Sequence, residues 1–240
     1  MTERLQKYLA GLGLGSRRQI EGWIREGRIE VDGATAELGC RVSGQERIVV
    51  DGKPVRAPRH ERKHRTLMYH KPPAEICSRS DPEGRRTVFD SLPKLLRARW
   101  ISVGRLDYQT AGLLLLTTDG ELANRLMHPS SQLEREYSVR VQGELGDEQI
   151  EQLLKGVHLD DGPARFDTLA VKEGKGSNQT CLVTVSEGRN RIVRRLFEAA
   201  GCRVSRLMRV RYGPLVLPRE LRPGKFRDLD NAELNALGRA

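Results

Sequence analysis

The chain has 240 residues, with 42 Lys+Arg against 32 Asp+Glu for a formal net charge of +10, and its pI is about 9.8. A hydrophobic content of 38% with a mean hydropathy of −0.55 excludes a membrane-spanning chain and fits a globular protein with a heavily charged surface. A basic balance of this size points to a polyanionic partner and says nothing about fold.

MTERLQKYL carries no apolar signal core, and no aliphatic run is long enough for a bilayer. Cys40, Cys77, Cys181 and Cys202 are widely spaced and form no CxxC. The five histidines show no metal-ligand spacing either. The expectation is a cytoplasmic protein with reduced thiols, no metal and no membrane partner.

Leu5, Leu9 and Leu12 form one helical stripe that the glycines at 11, 13 and 15 interrupt. Ser16 and Gln19 form a capping box that predicts a second helix, with Ile20, Trp23 and Ile24 as its apolar face. Arg17, Arg18 and Arg25 lie elsewhere on its circumference. Gly27 is positioned to cap its carboxyl end. Arg28–Val31 alternates like a strand into the turn Asp32-Gly33, and Val49-Val50 leads to a second such turn, Asp51-Gly52. Periodicity alone leaves the three arginines equally a solvated face or an RNA-binding one. The segment resembles the alpha-L RNA-binding domain through its RLQKYLA opening, its GSRRQIEGWIREGRIEVDG core and the later VVDGKPV. That resemblance favours RNA.

Residues 58–65 are charged, aperiodic and preceded by Ala57, which predicts a linker between a small domain over 1–57 and a larger one over 66–240. Beyond it, strands are predicted at Thr66–His70, Ile101–Val103, Leu113–Thr117, Tyr137–Val141, Thr168–Val171 and Cys181–Val185. Helices are predicted at Glu121–Met127, Glu148–Lys155 and Ile192–Ala200. Strands outnumber helices and do not alternate with them one for one. The fold class expected is α+β, on a mixed, largely antiparallel sheet flanked by helices.

No Walker loop, dinucleotide fingerprint, HExxH or GxSxG is present. The candidates with unusual surroundings are Asp107, set between Gly104-Arg105 and the apolar run Leu113–Leu116, Tyr137, and the arginines after Gly188. Eight arginines fall between Gly188 and Arg211, with Glu198 the single acid. An Arg-x-Asp triplet alone is more often a surface ion pair than a nucleophile.

Four ordered blocks carry a further resemblance: HKPPAEICSRSDPEGRRTVFDSLP, VGRLDYQTAGLLLLTTDGELANRLMHPS, REYSVRV and EGRNRIVRRLFEAAGCRVSRLMRVRYG. Together they are similar to the RsuA/RluB group of ribosomal RNA pseudouridine synthases, and within it to the large-subunit branch. The resemblance implies an enzyme that isomerises uridine to pseudouridine in large-subunit (23S) ribosomal RNA, at a hairpin loop, as a monomer and without a cofactor. It places the catalytic aspartate on Asp107, a basic partner of that aspartate on Arg194, and a base-stacking tyrosine on Tyr137. Arg105 joins these as a substrate-binding candidate. Arg17, Arg18, Arg25, Arg191 and Arg195 are the candidate RNA contacts. Lys71-Pro72 matches a family block but receives no role. The alternatives are an rRNA-binding assembly factor without activity, and the same chemistry on small-subunit rRNA.

Overall fold

The computed structural model describes residues 2–56, 63–96, 98–143, 145–175 and 178–239. Most of the expected linker, including 58–62, lies outside the described residues. The chain divides into two compact units. The first comprises 1–64 with 93–101 and 118–120; the second comprises 65–92, 102–117 and 121–240.

The first unit begins with β1 (Glu3–Arg4), α1 (Leu5–Gly11) and α2 (Arg17–Arg25). It continues through β2 (Ile29–Val31), β3 (Ala34–Thr35), β4 (Arg41–Val42), β5 (Ile48–Val50) and β6 (Lys53–Pro54). Ser16 accepts from the Gln19 amide at 3.1 Å, and the Gln19 side chain accepts from the Ser16 amide at 2.8 Å, so the expected capping box is formed. Leu5, Leu9, Ile20, Ile24 and Ile29 meet Val42 and Ile48 in one buried core. Leu12 of the predicted stripe lies one residue beyond α1, as its carboxyl cap. Asp32 and Gly33 both take positive φ, the turn that two-residue hairpins require. Arg17, Arg18 and Arg25 are exposed. The segment 93–101 clusters here although it falls inside the span expected for the larger domain. Its Trp100 is buried, and its indole N–H donates to the Pro93 carbonyl at 2.9 Å.

The second unit contains β7 (Thr66–Lys71), β8 (Ile101–Val103), β9 (Thr110–Thr117), α3 (Gly120–Met127), β10 (Arg135–Gln142), α4 (Asp147–Lys155) and the hairpin β11 (Val157–Leu159) with β12 (Gly162–Ala164). There follow β13 (Thr168–Lys175), β14 (Asn178–Val185), α5 (Ile192–Ala199), β15 (Arg203–Tyr212), β16 (Leu215–Val216), β17 (Phe226–Asp228) and α6 (Asn231–Arg239). The main sheet runs β13-β14-β10-β15-β9-β7-β17. Along it neighbouring strands pair antiparallel except β15 with β9, giving the mixed, mostly antiparallel sheet that the strand count predicts. Leu113 to Leu116 are all fully buried, so β9 is covered on both faces and reads as a continuous apolar run without alternation.

β15, a strand of ten residues, is the longest element that sequence reading leaves out. Ser205 and Val210 each bulge from its ladder with β10, where Val141 and Arg140 pair with Val204 and Arg206, and Tyr137 and Glu136 with Arg209 and Arg211. The two bulges reset the alternation, so the buried positions are Val204, Leu207, Arg209 and Tyr212. Inward residues three apart break a period of two.

Gly112 fixes how close β9 and β15 come. Its φ is +108°, and a Cβ there would stand 2.2 Å from the Arg209 carbonyl oxygen and 2.6 Å from the Arg209 nitrogen. The obstacle is backbone, which cannot swing aside. Gly112→Ala is expected to destabilise the fold by more than about 3 kcal/mol, the combined effect of strained φ and steric overlap. Chemical denaturation reads this as a lower midpoint; an unchanged midpoint would mean the strands do not need this approach.

Candidate active site

A cavity of about 570 Å³ opens in the second unit, a size suited to a small organic group. Asp107 and Arg105 line it with Cys77, Thr110, Tyr137, Arg189, Arg191 and Arg209 among others. The turn that carries Asp107 is held at every carbonyl from 106 to 110. The Cys77 thiol donates to the Leu106 carbonyl at 3.4 Å and accepts from the Leu106 amide at 3.4 Å. Burial pushes that thiol up, which keeps it protonated and able to donate. The Thr110 amide donates to the Asp107 carbonyl at 3.0 Å, and the Ala74 amide to the Tyr108 carbonyl at 2.8 Å. Arg194 Nη2 reaches the Gln109 carbonyl at 3.4 Å. Lys71 Nζ, fully buried, donates to Pro72, Tyr108 and Thr110 carbonyls at 3.0, 3.4 and 2.8 Å.

The side chain of Asp107 is treated differently from its backbone. It is half-buried, and among the described residues it has neither a hydrogen bond nor an ion pair. Arg194, expected as its direct partner, is committed elsewhere, donating to the Val204 carbonyl at 3.0 Å and to Gln109. It does not line the cavity. Two nitrogens of its fork are taken by backbone oxygens, one of them in the turn itself. Burial lowers the pKa of both Lys71 and Arg194, and the charge of Asp107 works against that lowering in each. The carboxylate therefore stands in the field of two buried cations without touching either.

Tyr137 is 8% exposed and lines the cavity from β10, where it pairs across the ladder with Arg209. Arg209, one of the eight clustered arginines but given no individual role by sequence reading, is 2% exposed. Its Nε donates to the Leu113 carbonyl at 2.8 Å, and its guanidinium lies 5.0 Å from the Tyr212 ring centroid. Arg135 lies 5.3 Å from the same ring and donates to the Leu133 and Ser186 carbonyls.

The wall after β14 is clamped by charge. Arg189 donates to Glu187 at 2.6 and 2.9 Å and to Asp161 at 3.0 Å. Arg195 donates to both Asp161 oxygens at 2.8 and 2.6 Å. This changes the expected role of Arg195 as a free phosphate contact: its fork is already filled by a carboxylate on the β11–β12 turn. Arg191 keeps an exposed side chain, with Glu198 3.8 Å away. Lys71, Cys77, Asp161, Arg189 and Arg209 receive no individual role from sequence reading, though all but Asp161 belong to the quoted blocks; what no local pattern discloses is which of them point inward. Among the described residues no group of three or more His, Cys, Asp or Glu is arranged to hold a metal ion, and no helix is long and apolar enough to cross a membrane.

This site and fold define an RNA-modifying enzyme. The RNA pseudouridylate synthase family matches residues 65–199 and the S4 domain matches residues 3–48, and the chain belongs to the RNA pseudouridylate synthase family. Ribosomal large subunit pseudouridine synthase B of Pseudomonas aeruginosa is 55% identical over 237 residues, covering 98% of this chain and 61% of that protein. The protein of the same name from Escherichia coli strain K12 is 55% identical over 245 residues, covering 99% of this chain and 82% of its own length. The chain thus spans less than two thirds of the Pseudomonas relative. A crystal structure of a pseudouridylate synthase superposes with a TM-score of 0.68 at 27% identity, covering 98% of this chain and 99% of that one.

The Asp161 clamp has a defined pH signature. The bonds from Arg195 lower its carboxyl from an ordinary 3.8 to about 2. A depressed folded-state pKa gives stability that is complete above the unfolded value and lost as pH falls through the folded one. The difference in denaturation midpoint between wild type and Asp161→Asn is therefore expected to be constant above pH 4 and to shrink from there to pH 2. A difference that persists undiminished at pH 2 would rule out the charge as its source.

Proposed function

We propose that the protein converts uridine to pseudouridine at a specific position in large-subunit ribosomal RNA, with Asp107 as nucleophile. The observation that carries this reading is the bare carboxylate of Asp107, held by its pinned backbone at the wall of a cavity large enough for one base. The relatives' names supply the RNA class.

The reaction is an isomerisation. The bond from C1′ to N1 breaks, a bond from C1′ to C5 forms, the proton on C5 leaves and N1 gains one. A carboxylate serves this by adding to the anomeric carbon, by adding to the uracil ring, or by promoting elimination from the ribose, and each route uses the one acid. Fixing the backbone of the nucleophile removes the motions that the transition state would otherwise have to suppress. Tyr137 supplies a flat wall for the base. A stacked uridine must leave its stack to arrive, at a cost of a few kcal/mol. Phosphate contacts from the exposed Arg105 and Arg191, and from Arg17, Arg18 and Arg25 on α2, offset that cost and make binding fall steeply with salt.

The test is mapping of pseudouridine across ribosomal RNA from cells with and without the protein, followed by reconstitution with purified chain. Wild type is expected to restore one modification. Asp107→Asn is expected to lower the rate at least a thousandfold while RNA affinity stays within about threefold. Wild-type protein that binds ribosomal RNA and modifies nothing would leave an assembly factor as the surviving reading. A site restored in small-subunit RNA would move the substrate.

A further inference from the structure

Arg209 is a buried cation with most of its hydrogen-bonding capacity unused. Among the described residues Nε alone has an acceptor, the Leu113 carbonyl; Nη2 is sealed from solvent with none. No carboxylate pairs with it. Thr110, on the adjoining strand, has a second sealed and unpartnered polar atom in its hydroxyl oxygen, and both residues line the cavity. A guanidinium kept out of water with only one backbone acceptor and the Tyr212 ring beside it is costly, and buried unsatisfied groups in a native fold call for an explanation. Nη1 carries no acceptor among the described residues and, unlike Nη2, is not sealed, so it is the nitrogen that a group entering the cavity can meet.

Resting on the pseudouridine reading above, we infer that Arg209 is the residue that recognises uracil, donating from its free guanidinium nitrogens to a ring carbonyl. A phosphate is the poorer fit. The exposed Arg105 and Arg191 meet the RNA backbone first, whereas Arg209 lies inward, opposite Tyr137 on the neighbouring strand. A base carbonyl is an acceptor that carries no full charge to be stripped of water.

The chemistry of the base makes one donor sufficient for the whole reaction. Exchanging N1 for C5 at the anomeric carbon amounts to a half-turn of uracil about the axis through C6 and N3, and that turn swaps O2 with O4. A donor aimed at one carbonyl position meets an oxygen before and after the turn. Cytosine does not have this property, because its half-turn brings an amino group to the same place. Arg209 thus retains the detached base in both orientations and rejects the other pyrimidine.

Arg209→Met tests this with the full chain and a ribosomal RNA hairpin carrying the mapped uridine. Replacing an unpaired buried charge by an apolar side chain of similar length is expected to leave the denaturation midpoint equal or higher, and to lower the rate of pseudouridine formation at saturating RNA at least tenfold, with RNA affinity unchanged. The same hairpin with 2-thiouridine or 4-thiouridine at the target, a weaker acceptor at either position, is expected to react about tenfold slower with wild type and to show little further loss with Arg209→Met. Activity retained by Arg209→Met overturns the inference. So does an equal thio effect in wild type and variant, which reports that Arg209 does not touch the carbonyl. A variant that unfolds makes Arg209 a structural residue, and the wild-type thio series then decides: no slowing by either analogue overturns the inference, slowing by both supports it. Wild type inactive on the unmodified hairpin counts against the pseudouridine reading itself, a result separate from these.

Discussion

The constraint on which the site depends is that five consecutive carbonyls, Leu106 to Thr110, are all held while the carboxylate among them is left alone. The holders come from different parts of the second unit: Cys77 and Ala74 from the segment after β7, Lys71 from β7 itself, Arg194 from α5, and the turn's own Thr110 amide. Each is a modest bond, about 0.5–1.5 kcal/mol net. Their joint effect is geometric: no single carbonyl can turn without breaking a bond anchored elsewhere. Lys71 matters most because its three N–H groups are spent on three backbone oxygens in a place without water. An apolar residue there would leave several buried acceptors unserved, a heavier loss than the bonds themselves.

That arrangement also separates two uses of positive charge. A formal +10 invites the reading that arginines clustered in the sequence form one anionic footprint. In the fold they divide. Arg194 and Arg209 are buried and serve carbonyls, and Arg189 and Arg195 are tied up by Glu187 and Asp161. Arg105 and Arg191 stay at the surface of the cavity's rim. Of these, Arg105 and Arg191, the latter with Glu198 3.8 Å away, are the most available to neutralise phosphates. Counting charge along the chain therefore overstates the footprint, and the salt dependence of RNA binding follows the exposed arginines, not the total.

Much of the architecture was legible because its signals are local. The capping box at Ser16 and Gln19, the Asp-Gly turns, the apolar run of β9 and the glycine after α5 each act over a few residues. The family was legible too, since the pattern around Asp107 belongs to ordered blocks whose resemblance the family match bears out. The hidden part lies in β15. Two bulges shift its inward face, so Arg209 and Tyr212 point inward at a spacing that alternation does not supply. For Arg194 the position on α5 is readable, but the oxygens its fork meets belong to Val204 on β15 and to Gln109 in the turn before β9, the latter 85 residues away in sequence. Partner choice for a buried polar group is a tertiary property, and no sequence window contains both partners.

Gly112 links these observations. It is the point where β9 and β15 run parallel, and the missing side chain allows the Arg209 backbone to lie against it. Two residues upstream of Gly112 the pinned turn ends; across from it Arg209 leaves β15 toward Leu113. The spacing between the turn that carries Asp107 and the strand that carries Arg209 is thus set by backbone contact, in an interior that packs with little give. On the reading proposed above, the enzyme must keep a detached base within reach of the sugar it left. A cavity in which Asp107 and Arg209 are anchored to one pair of strands suits that need, since neither backbone can retreat when the bond between base and sugar is broken.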